Sequence, residues 1–280
     1  MIALRIEQFA NRAKRYRTEQ KGTAMLLAID VGNTQTTLGL FDGEEMLHMW
    51  RISSDTTQST DELRITLHGL LSMDGVSREE IDGMALATVV PAAKHMWMKV
   101  GRTMFGLNVL DINVRTAGDL IDITNYRRSV LGADRIADAV AARVFYGAPV
   151  IVVDFGTATN IEVIDKDGCF AGGVIAPGVM SSMNALFSRT ALLPQVELVD
   201  PKAAIGRNTI KAMQVGIVYG EVDRVDGLVH RIEEQLGYKA KVVATGGLAS
   251  TMAKLTTTVT EINPELTLQG IRLIYENQSK

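Results

Sequence analysis

The first unbroken apolar run, Met25-Leu26-Leu27-Ala28-Ile29, stops abruptly at Asp30 and reads as a buried strand. Thr36 to Phe41 and Met46 to Ile52 follow as a second and third strand, joined through the hairpin-turn pair Asp42-Gly43. From Thr60 to Leu71 the spacing becomes helical, with Leu63, Leu67, Leu70 and Leu71 on one face. Met84 to Val90 reads as a strand. Pro91 after it suits the first turn of a helix, where a missing N–H costs nothing. Val109 to Ile112 predicts a short strand, and Asp134 to Phe145 carries Ile136, Ala139, Val140 and Val144 at helical spacing.

After Gly147 and Pro149 the pattern starts again. Val150 to Val153 is an apolar strand ending in Asp154, Ile161 to Ile164 a second, and Asp167-Gly168 a turn before another. Thr209 to Leu236 reads as helical, with Gly216, Gly220 and Gly227 arguing against one unbroken helix. Val242 to Ala244 is a late strand, and Asn263-Pro264 would cap and open a final helix. One order of features (apolar strand, Asp-x-Gly, threonine-rich turn, strand, Asp-Gly) occurs from Leu26 to Gly43 and again from Ile151 to Gly168. Two copies indicate a duplicated unit rather than a solenoid. The expected architecture is α/β, with half-domains at 25–147 and 148–280 and a ligand cleft between them.

Composition narrows the function. A formal net charge of −3 over 280 residues, with no basic block in the two halves, argues against nucleic acid as a partner. The one cysteine, Cys169, excludes an intrachain disulfide, and the four histidines (His48, His68, His95, His230) form no zinc motif. Both points fit a reducing, cytoplasmic setting. No apolar run approaches the roughly 18–20 residues that cross a bilayer, so no membrane role is expected. Residues 1–24 differ from the rest: Arg5, Arg12, Lys14, Arg15, Arg17 and Lys21 stand against Glu7 and Glu19. Without the apolar middle of a secretory signal, they are expected to form a poorly ordered basic extension ahead of a domain opening at Met25.

The candidate chemistry lies in three short stretches. In Asp30-Val31-Gly32-Asn33-Thr34-Gln35-Thr36-Thr37, the glycine lets backbone approach a ligand closely. Asn33, Thr34, Thr36 and Thr37 offer donors to phosphate oxygens, and Asp30 is placed to hold Mg²⁺ through its waters. An Asx-type turn capped by threonines would have the same letters. Asp154-Phe155-Gly156-Thr157-Ala158-Thr159 is the second copy, and two such loops on one cleft would supply donors from both sides of a triphosphate. No Gly-x-x-x-x-Gly-Lys loop or Gly-x-Gly pair competes with this reading, and Gly32 stands where an aspartyl-phosphate site would want a second acid.

The third stretch, Gly132-Ala133-Asp134-Arg135, opens a helix. Helix N-termini attract anions, Arg135 can grip a carboxylate in two-pronged fashion, and Asp134 can accept the proton of an attacking hydroxyl. Taken alone, the tetrapeptide equally suits a helix start with a surface arginine. The glycine clusters Gly172-Gly173 to Gly178 and Gly246-Gly247 suit close backbone approach or tight turns. Met180, Met183, Leu186 and Phe187 are expected in packing or a subunit contact.

Together with Gly206-Arg207-Asn208-Thr209 and Thr245-Gly246-Gly247, these stretches resemble, in order, the type III pantothenate kinase family of the actin-like, Hsp70-like and sugar-kinase-like ATPase superfamily. The resemblance runs from about Met25 to the C-terminus. It implies two ribonuclease-H-like (actin-like ATPase) half-domains, ATP and Mg²⁺ as cofactors, and phosphorylation of pantothenate to 4'-phosphopantothenate at the start of coenzyme A biosynthesis. It implies that Asp30, Val31, Gly32, Asn33, Thr34, Gln35, Thr36, Thr37 and Thr157 bind ATP and that Asp154 holds a monovalent cation, K⁺ or NH₄⁺. Asp134 would be the proton acceptor, and Gly132, Ala133, Asp134, Arg135 and Thr209 would hold pantothenate in a homodimer whose pocket lies near the subunit contact. The family's tyrosine seven residues before this Gly-x-Asp-Arg element falls here on Asn125, with Tyr126 beside it; Tyr126 is assigned to the substrate. A related kinase acting on another acceptor such as a sugar, or a non-catalytic accessory transcription factor, would share much of this pattern. The acids at 30, 134 and 154 favour catalysis.

Overall fold

The computed structural model describes residues 25–55, 57–124, 126, 131–189 and 196–278; the basic segment 1–24 and Asn125 lie outside the described residues. In the first half, β1 (Met25–Val31), β2 (Gln35–Asp42), β3 (Glu45–Ser53), β4 (Ile81–Thr88) and β5 (Leu110–Asp111) form one sheet in the order β3-β2-β1-β4-β5. In the second, β6 (Val150–Phe155), β7 (Ala158–Ile164), β8 (Phe170–Pro177), β9 (Lys241–Thr245) and β10 (Glu261–Ile262) form another in the order β10-β9-β6-β7-β8. Strand for strand, these are the same topology: two antiparallel hairpin pairings, then two parallel crossovers. The repeated sequence pattern is therefore a repeated fold, the duplicated α/β architecture of actin-like ATPases.

Local signals explain the boundaries. Gly43 turns the β2–β3 hairpin with φ of 59°, a left-handed conformation that costs glycine nothing. α1 (Thr60–Met73) starts at a capping box, in which the Ser59 amide donates to Glu62 at 2.7 Å and the Ser59 hydroxyl accepts from the Glu62 amide at 3.3 Å. β4 begins at Ile81, earlier than the apolar spacing indicates, and stops at Thr88 instead of running to Val90. The Thr88 hydroxyl donates to the Val31 carbonyl at 3.2 Å and accepts from the Val90 amide at 3.0 Å, which steers the chain off the sheet and into α2 (Pro91–Val100). The long helical stretch is α5 (Thr209–Gln214) and α6 (Gly220–Leu236), joined by a π-helical turn at Val215–Tyr219 that contains Gly216, so the path bends without breaking. The last helix, α7 (Leu266–Gln278), starts after the Asn263-Pro264 pair. The Asn263 side chain accepts from the Glu265 amide at 3.1 Å in the turn that precedes it.

The layers stack as helix, sheet, helix, sheet, helix. Leu63, Leu67 and Leu71 of α1 and Trp97 of α2 cover the outer face of the first sheet. α6 and α4 (Val179–Arg189) cover the outer face of the second, with Val179 and Met183 buried and Met180 and Leu186 exposed; the Phe187 side chain is outside the described residues. Between the sheets lie α3 (Ala133–Tyr146) and α7, packed so closely that a Cβ on Gly270 would sit 2.0 Å from the Ala137 carbonyl oxygen. That contact places α3 along the seam of the molecule, with its first turn toward the ends of β1 and β6.

Because Gly270 faces rigid backbone, Gly270→Ala is expected to lower stability by about 1–3 kcal/mol, with activity lost in parallel with folding. Thermal melting of the variant beside a surface control such as Gly69→Ala, which has open space for a Cβ, checks this; equal melting of the two would refute the tight crossing.

Candidate active site

Each half contributes one strand-to-strand turn at the same topological place. In the first, the Gly32 amide donates to the Gln35 carbonyl at 3.1 Å, leaving Asn33 and Thr34 exposed at the tip. The Ser54 amide holds the Thr34 carbonyl at 3.0 Å, and Ser54 Oγ pairs with Thr36 Oγ1 at 2.8 Å. Thr36 is buried, so its hydroxyl braces the turn rather than facing the cleft as the sequence suggests. Thr37 sits directly across the β1–β2 ladder from Asp30 and is half-buried.

In the second turn the Gly156 amide donates to the Ala158 carbonyl at 3.0 Å and Thr157 is exposed. Its hydroxyl lies 3.2 Å from that of Thr34, so the two turns touch across the seam although 123 residues separate them in sequence. Gly246 backs the site. A Cβ there would fall 2.2 Å from Asp154 Oδ1, so a side chain at 246 would displace that carboxylate.

The third element is the first turn of α3, whose N-cap is Gly132. Asp134 Oδ1 accepts the Arg135 amide at 2.9 Å, and a Cβ on Gly132 would stand 2.4 Å from the same oxygen. Glycine at 132 is thus a steric requirement for the Asp134 carboxylate to fold back over the helix start.

Three carboxylates meet here from three elements. Burial, with the negative charges of Asp134 and Asp154, pushes the Asp30 carboxyl well above its usual range. Burial and Asp134 push Asp154 up to about 7. Such a set attracts cations, because a positive charge relieves both the repulsion and the desolvation. Among the described residues no three His, Cys, Asp or Glu side chains stand together closely enough to hold a metal ion by themselves.

Arg135 is placed differently from the sequence expectation. It is a buried side chain, neither a surface arginine nor a freely extended grip: its Nε donates to Glu162 Oε1 at 2.7 Å, and its guanidinium lies 5.7 Å from the Phe170 ring centroid. Tyr126 interacts electrostatically with the Arg135 side chain and packs edge-on against Phe170 at 5.2 Å, so the structure does bring Tyr126 to this corner. Thr209, by contrast, is exposed at the start of α5.

Two acids missed in the sequence complete the floor. Glu162 on β7 is fully buried; burial, countered by Arg135 but reinforced by Asp154 and Asp134, moves its carboxyl up to about 8. Asp138, one helical turn beyond Asp134, is buried and accepts from Thr267 at 2.7 Å; burial and the charges of Asp154 and Glu162 push it well up. Both left a sequence signal: an acid inside the apolar strand Ile161 to Ile164, and an acid at i+4 from a candidate catalytic residue.

A raised carboxyl keeps its proton in the native state while the unfolded chain releases it. Asp154 and Glu162 therefore make the ligand-free protein lose stability as pH rises from about 4 to about 8. In a buffer free of small cations, Asp154→Asn is expected to flatten that fall and to melt higher than wild type at pH 7.5. A variant melting at or below wild type there would show that the repulsion is absent.

Comparison with known proteins identifies relatives of nearly the whole chain. The profile of the type III pantothenate kinase family matches residues 26–231. The type III pantothenate kinase of an Exiguobacterium species is 43% identical over 258 residues, covering 91% of this chain and 100% of that protein. Those of Streptomyces avermitilis (45% over 262 residues, 90% and 98% covered) and Moorella thermoacetica (44% over 257 residues, 91% and 100%) are similar to the same extent. Among solved structures, a conserved Baf family protein from Campylobacter jejuni superimposes with a TM-score of 0.54 at 18% identity, covering 90% of this chain and 98% of that one. The component A of (R)-2-hydroxyglutaryl-CoA dehydratase from Acidaminococcus fermentans gives 0.54 at 14% identity, with 92% and 100% covered. At those identities the likeness concerns the fold alone.

Proposed function

The chain belongs to the type III pantothenate kinase family, and from that premise we propose that the cleft between the two turns is where ATP and pantothenate meet. The reaction is transfer of the γ-phosphoryl group of ATP to the primary hydroxyl of pantothenate, giving 4'-phosphopantothenate and ADP, the first step of coenzyme A biosynthesis. The observation that carries the reading is the convergence of Asp30, Asp134 and Asp154 beside two facing, hydroxyl-tipped turns.

In this reading the turn of Val31, Gly32, Asn33, Thr34 and Gln35, with Thr37, offers amides and side-chain donors to the phosphates, and Thr157 faces them from the other half. Thr36 supports that turn from behind through Ser54. A divalent ion would supply charge neutralisation on the phosphates, and Asp30 is the residue to hold it through water. Asp154 would hold the monovalent cation, K⁺ or NH₄⁺. Asp134, held at the start of α3 by the Arg135 amide, takes the hydroxyl proton as the acceptor oxygen attacks in line. Gly132 and Ala133 leave room for the acceptor; Tyr126 and the guanidinium of Arg135 meet its carboxylate, with Glu162 fixing Arg135 through its Nε. By resemblance to the family, Thr209, exposed at the start of α5, is assigned to the acceptor as well.

We further propose a homodimer. β8 is the edge strand of its sheet and exposes Ile175, while Met180 and Leu186 expose apolar surface on the adjoining α4, a combination that a second chain would cover. The half-domain boundary near residue 147 and a cytoplasmic location belong to the same reading; among the described residues no helix is long and apolar enough to cross a membrane.

Asp134→Asn keeps the size and the amide contact but removes the base. Turnover in an ADP-release assay with pantothenate and K⁺ is expected to fall by about 10²–10⁴, with the KM for ATP little changed. Near-normal turnover would remove Asp134 from the proton-accepting role.

A further inference from the structure

An ion pair between a buried glutamate and a half-buried arginine on the outer helix of the second half has no part in the reaction proposed above. Glu221 and Arg224 stand one turn apart on α6, whose other buried residues are Val222, Val225, Val229 and, near its C-terminus, Glu233. Glu221 is 4% exposed, and both its oxygens are engaged: Thr159 Oγ1 donates to Oε1 at 2.6 Å, and Arg224 Nη2 donates to Oε2. The same Nη2 donates to the Pro177 carbonyl at 2.7 Å. A pair of this kind, screened by water on its arginine side, adds little stability, so its geometry is the informative part.

Its two contacts bracket the second turn. Thr159 lies two residues beyond Thr157 on β7, and Pro177 precedes Gly178, which lies over the turn. The Gly178 amide donates to the Thr157 carbonyl at 3.2 Å, and Ser181 Oγ donates to the same oxygen at 2.7 Å. A Cβ on Gly178 would come within 2.5 Å of the carbonyl oxygens of both Gly156 and Thr157, so the two segments are in full contact. A shift of Pro177 therefore reaches Thr157, whose hydroxyl meets Thr34 across the cleft.

We propose that Glu221 and Arg224 are positioning residues for ATP: through Thr159 and Pro177 they hold the Thr157 turn in the place from which it meets the phosphates. This rests on the reading that Thr157 binds ATP. A pair that served packing alone would affect both substrates equally through stability.

The test uses Glu221→Gln, which can still accept from Thr159 but turns an amide toward Arg224, and Arg224→Lys, which keeps the charge but falls short of the Nη2 position that reaches both Glu221 and Pro177. Both are compared with Thr157→Ala in steady-state kinetics, with melting measured on each. The expected result is a KM for ATP raised about tenfold in each variant, the size of one lost charged hydrogen bond. The KM for pantothenate should stay within about twofold, with melting near wild type. Should Thr157→Ala raise the KM for ATP while Glu221→Gln and Arg224→Lys do not, or should these two raise both KM values alike, the positioning role is overturned and the ATP reading stands. An unchanged KM for ATP in all three would overturn both.

Discussion

Like charges held together against their repulsion are the constraint from which the site follows. Asp30 ends a strand of one sheet, Asp154 the equivalent strand of the other, and Asp134 begins the helix between them. None of the three could approach the others in a flexible chain at neutral pH without drawing in cations or protons. Large apolar layers on both faces of each sheet, and the close crossing of α3 and α7 at Ala137 and Gly270, hold the carboxylates in place. The raised proton affinities of Asp30 and Asp154 are the ligand-free expression of that crowding.

Duplication supplied two copies of one device, and the copies have since taken different supports. The first turn is tied by Ser54, a neighbour beyond β3 in the same half. The second is tied from the β8–α4 junction and, one layer further out, from α6. Equivalent strand positions also diverge. Gly39 on β2, opposite Ala28, leaves room for Leu268 of α7, which would lie 2.9 Å from a Cβ there. On β7 the matching place, opposite Val152, is Glu162, which pairs with Arg135. One half thus packs the seam with apolar contact and the other lines it with charge, which gives the cleft an apolar-backed side and an ionic side.

Much of this is legible from local signals. Apolar runs that stop at an aspartate, a turn pair such as Asp42-Gly43 and a capping box at Ser59 each act within a few residues, so their outcome is written in adjacent letters. Boundaries that depend on a partner far along the chain are less legible: β4 stops at Thr88 because that hydroxyl finds the Val31 carbonyl, 57 residues away. Side-chain roles follow the same division. Nothing beside Thr36 announces that Ser54 will take its hydroxyl, and nothing beside Arg135 announces Glu162, 27 residues on.

The chain's letters alone determined the duplicated α/β plan, the two aspartate-headed turns and the Gly-Ala-Asp-Arg helix start, because backbone preference and apolar periodicity are short-range properties. Tertiary structure alone decided which hydroxyls face the cleft, which charges are buried and how three acids come to share one electrostatic environment. Those outcomes depend on distance through space and on exclusion of water, and neither quantity exists until the sheets and the helices between them have closed.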